Sequence, residues 1–130
     1  MIRKKQIKRF LILAIPFFLL MHFLGWWKLY YELQFYDEIV HFLAGASVFW
    51  VLFNYFKIIG CQKNKVALSL ISLVLITFLW ELSEFFLDNL LKDYFIMPLR
   101  LGLLDTISDC IANFAGAFFV IIWLQLKNKV

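Results

Sequence analysis

Charge is scarce in this chain of 130 residues: Asp, Glu, Lys and Arg make up 17% of it, against 64% hydrophobic and 20% aromatic residues. A soluble domain is nearer to half apolar, so a mean hydropathy of +0.83 excludes one and calls for a membrane protein. An extended basic face is missing too. The formal charge of +4 is split among short loops, which excludes nucleic acid as a partner. There are only two cysteines, Cys61 in a connection and Cys110 inside the last apolar segment. They belong at different depths, so no disulfide is expected. No A-x-A-like cleavage site follows the first apolar run. Phe10–Trp27, behind the basic start MIRKKQIKR, therefore reads as an uncleaved transmembrane helix and not as a signal peptide. Internal repeats and low-complexity tracts are absent as well.

What is present divides into four apolar runs, at about residues 10–27, 39–59, 66–87 and 104–126. The expected fold is all-α: a polytopic membrane protein, a single membrane domain over 1–130, with four transmembrane helices in a compact bundle. Trp26–Glu38, dense in Trp and Tyr, has the composition of a headgroup-level segment. Residues 88–103 form a mixed loop with Pro98 and Gly102. The aromatic stretch 26–36 and the loop 94–103 suit interfacial anchors or lids over the outer end. Acid is missing from residues 1–9 and from the connection Lys57–Lys65, while ten of the 13 Lys and Arg lie in the N-terminus, that connection and the C-terminus. The positive-inside rule then puts both termini in the cytoplasm.

The acids collect at the other end. Leu103–Gly116 reads LLDTISDCIANFAG and carries Asp105, Asp109 and Asn113 at i, i+4 and i+8, one stripe of a helix. Asp37 and His41 open the second helix with the same spacing. On the third helix, which runs the opposite way, Glu81 lies about 22 Å up a core of roughly 30 Å, and Glu84 nearly a turn higher. Three helices thus bring five carboxylates, one imidazole and one amide to the same level, each set on one face. A charge in a membrane helix costs about 2.5–3.5 kcal/mol at mid-bilayer, and five carboxylates cannot all stay ionised together. Either some are protonated or cations compensate them, and a divalent cation is the economical answer. Carboxylates with one His suit Zn, Mn or Fe, whereas Mg would use the oxygens alone.

The expected metal ligands are Asp37, His41, Glu81 and Asp109. Glu84 or Asp105 is the acid/base, Asn113 the orienting group, and Arg100 the receptor of an anionic headgroup. Each has a plainer reading: Asp37 and Asp105 as helix N-caps, Asn113 as an interhelical hydrogen bond, the whole set as a structural polar network. His22, with no carboxylate on its face of the first helix, reads as structural, and Glu38 and Asp88 as solvated. Small residues at 44–47 and around Gly116 let the second and fourth helices cross just beneath the site.

At these residues the chain resembles a known family. D-E-I-V-H-F-L-A-G from Asp37, W-E-L-S-E-F from Trp80 and D-T-I-S-D-C-I-A-N-F-A-G from Asp105 look like the YjdF-like family of small bacterial inner-membrane proteins. A more distant likeness is to the VanZ-like proteins, from which the chain departs by carrying Glu84 where their pattern has Gln. The resemblance implies a four-helix core in the bacterial cytoplasmic membrane and a single shared site, and it supplies no reaction. The expected function is a metal-dependent, hydrolase-type membrane enzyme on a lipid or cell-envelope substrate, with membrane lipids as its surroundings. The alternatives are an ion or proton carrier and a non-catalytic membrane scaffold.

Overall fold

The computed structural model describes residues 4–33, 35–91 and 103–127. Four long helices account for nearly all of them: α1 (Lys4–Leu24), α2 (Tyr36–Ile58), α3 (Lys65–Leu91) and α4 (Leu103–Lys127). All four contain a stretch long and apolar enough to cross a membrane. Among the described residues there is no strand.

The helices overrun the apolar runs at most of their ends. Hydropathy marks where the chain enters hydrocarbon, while the backbone stays helical into the interface. Lys4, Lys5, Lys8 and Arg9 are good helix formers, so α1 starts well before Phe10. At its other end α1 continues through a π-type turn, Gly25–Leu29, and one α-turn, Tyr30–Glu32. Gly25 is required there, because a Cβ at that position would collide with the Tyr30 ring. The chain then reverses through Leu33 and Phe35 into α2, and the Tyr36 hydroxyl donates to the carbonyl oxygen of Met21 at 2.9 Å, tying α2 to α1.

The most extensive helix pair is α2 with α4. A Cβ on Gly45 would strike the backbone of Asn113, and one on Gly116 the backbone of Phe42 and Ala46. The backbones therefore touch directly, as the small residues led one to expect. Toward the basic end of the bundle this pair encloses a core of Phe49, Phe53, Ala117 and Val120, completed by Leu73 of α3. A second apolar cluster, Tyr30, Tyr36 and Val40 with Phe18 and Met21, closes the acidic end against α1. Large apolar side chains such as Leu13, Ile71 and Ile111 point outward on α1, α3 and α4. In water this would be a liability; in a bilayer it is the lipid-facing surface.

Candidate metal centre

Asp37 and Glu38 lie in the first turn of α2, where the partial positive charge of the helix end favours carboxylates. His41 follows one turn on and is buried, 2% exposed. Its Nε2 lies 3.5 Å from Asp37 Oδ1 and 3.9 Å from Asp109 Oδ1 of α4. Its other ring nitrogen, Nδ1, is 3.0 Å from Nδ2 of Asn113, also on α4. The close backbone approach at Gly45 makes this possible, since Gly45 is one turn from His41 and packs on Asn113 itself.

From the opposite side α3 contributes Glu81 and Glu84. Two sets of side chains have ligand spacing: Asp37, His41 and Asp109, and His41, Glu81 and Glu84, with the ligand atoms of each set within 4.8 Å of one another. His41 belongs to both. Two N or O ligands held 2.0–2.2 Å from a common ion sit roughly 3–3.6 Å apart, so the His41–Asp37 separation already fits and the His41–Asp109 one needs a small adjustment. Buried polar atoms are nearly always hydrogen-bonded. Yet His41 Nε2, Asp109 Oδ1 and Glu81 Oε1 are buried without a hydrogen-bond partner. His41 Nε2 and Asp109 Oδ1, 3.9 Å apart, are the pattern a bound cation would satisfy, and Glu81 Oε1 is a further orphaned acceptor in the second His41 set.

The four expected ligands fall in two overlapping sets joined by His41, with Asp37 and Asp109 in one and Glu81 in the other. Glu84, expected to stand apart as the acid/base, falls within ligand reach of His41 and Glu81. Asp105 sits half-buried in the first turn of α4 and belongs to neither ligand-spaced set. Arg100, the side chain of Asp88 and most of the loop expected to act as a lid lie outside the described residues.

The chain belongs to the family described as predicted membrane protein (DUF2238), which it matches over residues 1–129. With its four membrane-length helices it is a multi-pass membrane protein. No curated protein and no solved structure matches it, and the likeness to VanZ-like proteins has no counterpart in these comparisons.

Two side chains of this family member reach the cluster unannounced. His22 of α1 is buried, with Nδ1 2.6 Å from the Tyr30 hydroxyl and 3.8 Å from Glu84 Oε1. Its ring packs 4.6 Å from that of Trp80 and 6.3 Å from that of His41. Sequence reasoning looked for a carboxylate on the face of α1 itself, whereas the partner comes from α3. The usable signal was depth: His22 lies near the end of its apolar run, as Glu84 does. Tyr30 is reached only because the chain turns back at Gly25. Burial, reinforced by the nearby charge of Asp37, raises the Tyr30 hydroxyl above its ordinary pKa, so it stays a proton donor. Glu38 also differs from the solvated residue expected: it is half-buried, 3.5 Å from the Ser108 hydroxyl of α4.

Two cavities flank α3. One, of about 220 Å³, lies between α1, α2 and α3, with His22, His41, Trp80 and Asn113 on its wall. The other, of about 390 Å³, lies between α3 and α4 and includes Glu81, Thr106 and Cys110.

Proposed function

We propose that this protein is a membrane metalloprotein whose Asp37, His41, Glu81 and Asp109 hold one divalent cation, Zn, Mn, Fe or Mg, and that it acts as a hydrolase on a lipid or cell-envelope substrate. The observation that carries the reading is the buried, unpartnered pair His41 Nε2 and Asp109 Oδ1, 3.9 Å apart with Asp37 Oδ1 beside them. The YjdF-like motifs and the basic loops support the bacterial inner membrane, with the termini inside and the cluster toward the outer leaflet.

Bound there, a divalent cation would supply Lewis-acid polarisation and make water more acidic. The remaining roles belong to the chain. Glu84, beside His22, is the acid/base that accepts and returns a proton, with Asp105 the alternative, and Arg100 is the proposed receptor of an anionic headgroup. A ligand nitrogen at Nε2 needs its lone pair free, so the His41 proton belongs on Nδ1. Nδ1 then donates to the Asn113 side-chain oxygen, with the amide turned to present it; the two ends of an amide have the same shape. Asn113 is thereby the group that fixes the ring, as partners of metal-bound histidines do.

The carrier reading needs a polar route toward the basic end. Asn54 and Ser69 there donate to the carbonyls of Trp50 and Lys65 on their own helices, which argues against one.

Elemental analysis of protein purified in mild detergent without chelator tests the metal, with a separate binding assay for Mg. Near-stoichiometric metal is expected in the wild type and its loss in His41→Ala and Asp109→Asn variants that remain helical and monodisperse. No metal by either route in well-folded protein would sink the proposal.

A further inference from the structure

The cavity between α1, α2 and α3 has the shape and chemistry of a site for an amphiphile. Its walls are apolar, with Ile15, Leu19, Ala44, Val48, Leu73 and Ile76 among them, and at the acidic end it meets His22, His41 and Asn113. At about 220 Å³ it exceeds the ~150 Å³ apolar cavity that is known to stay dry and accept benzene. It falls short of the roughly 300–1,000 Å³ of pockets that enclose a whole small molecule. It therefore suits a hydrocarbon segment of a larger ligand. A lateral way in exists as well. α1 and α3 meet through His22 against Trp80 and Glu84, and among the described residues the two helices pack on each other only sparsely. In a membrane-spanning bundle, the apolar molecule facing such a seam is a lipid.

We propose that this cavity receives one hydrocarbon chain of a bilayer phospholipid entering between α1 and α3, whose phosphate headgroup then lies at the His41 cluster. Chain entry follows from the cavity alone. The headgroup position rests on the metal-centre reading, because unscreened carboxylates repel a phosphate. The substrate class that follows is a phospholipid, bound by one chain inside the bundle with its polar bond at the carboxylates.

The test is photocrosslinking of the full-length protein in phosphatidylcholine vesicles doped with a phospholipid carrying a diazirine in mid-chain, with adducts mapped by peptide mass spectrometry. Adducts are expected at buried Leu73 and at half-buried Ala44 or Val48, which line the cavity, in addition to those at outward-facing Leu75 and Leu79. Ala44→Phe, and separately Ile76→Trp on the cavity wall, should abolish the cavity adducts and leave the outward ones unchanged. Outward adducts alone in the wild type overturn the proposal while leaving the metal centre standing. Cavity adducts in protein that binds no metal uphold chain entry and overturn the headgroup position.

Discussion

Replacing Gly45 with alanine sets two effects of opposite sign against each other. Within a helix, Ala is favoured over Gly by about 0.8–1 kcal/mol. The added Cβ, however, would lie 2.6 Å from the Asn113 Cα and closer still to the Asn113 carbonyl oxygen. Ordinary contact begins at 3.4 Å, so α2 and α4 must separate locally by at least about 0.8 Å. The facing atoms are backbone and cannot swing aside as a side chain would. Overpacking costs about 1–3 kcal/mol, and against rigid backbone the upper half, about 2–3, applies, which outweighs the propensity gain and leaves a net destabilisation of roughly 1–2 kcal/mol. The same displacement moves Asn113 away from His41, stretching a 3.0 Å contact beyond hydrogen-bond range. Equilibrium unfolding in mixed micelles, followed by circular dichroism, measures the first effect. Ala115→Gly on the exposed face of α4 is the control, expected to lose only helix propensity, about 1 kcal/mol. Gly45→Ala that is neutral or stabilising would refute the direct backbone contact between α2 and α4.

Other outcomes follow from the cluster and the loops. Asn113→Asp keeps an acceptor for His41 Nδ1–H and should retain metal, whereas Asn113→Leu should weaken affinity by about 10–100-fold; equal losses in a titration would remove the orienting role. Tyr30→Phe deletes the hydrogen bond to His22 and should destabilise by about 1 kcal/mol in the same unfolding assay. An unchanged midpoint would mean that this contact contributes nothing to fixing the turn after α1 against His22. Cys61, partly exposed in the connection between α2 and α3, should react with an impermeant maleimide only from the cytoplasmic side. Labelling in intact cells from outside would invert the proposed orientation.

The four-helix plan was legible because hydrocarbon imposes a length and a composition that the sequence cannot disguise. The convergence of His41 with Asp37, Asp109, Glu81 and Glu84 was legible for a related reason. Helical spacing fixes which side chains share a face, and distance from the helix end fixes their depth, so two one-dimensional quantities sufficed. What could not be read was rotation, meaning which helix turns which residue inward. His22 illustrates this, since it reads as structural on its own helix and becomes a neighbour of Glu84 only where α1 meets α3. The reversal at Gly25 that buries Tyr30 depends on a single glycine opposite a ring. No periodic pattern encodes such a contact.

The same few residues carry the fold and the cluster. Gly45 lies one turn from His41 and packs on the backbone of Asn113, while Gly116 packs on the backbone of Phe42, the residue after His41. The contact that lets α2 and α4 approach is therefore also the contact that sets the distance between the imidazole and its amide. In water, buried apolar area could hold two helices together at many separations. In lipid that driving force is absent, and association depends on close packing and on polar side chains that find partners across the interface. A cation shared by Asp37 and His41 of α2, Glu81 of α3 and Asp109 of α4 would join three helices, two of which pack sparingly on each other. Metal binding is then expected to stabilise α3 most. Amide exchange around Glu81 and Glu84 should slow on metal addition more than exchange at Gly45, whose helix pair is already closed.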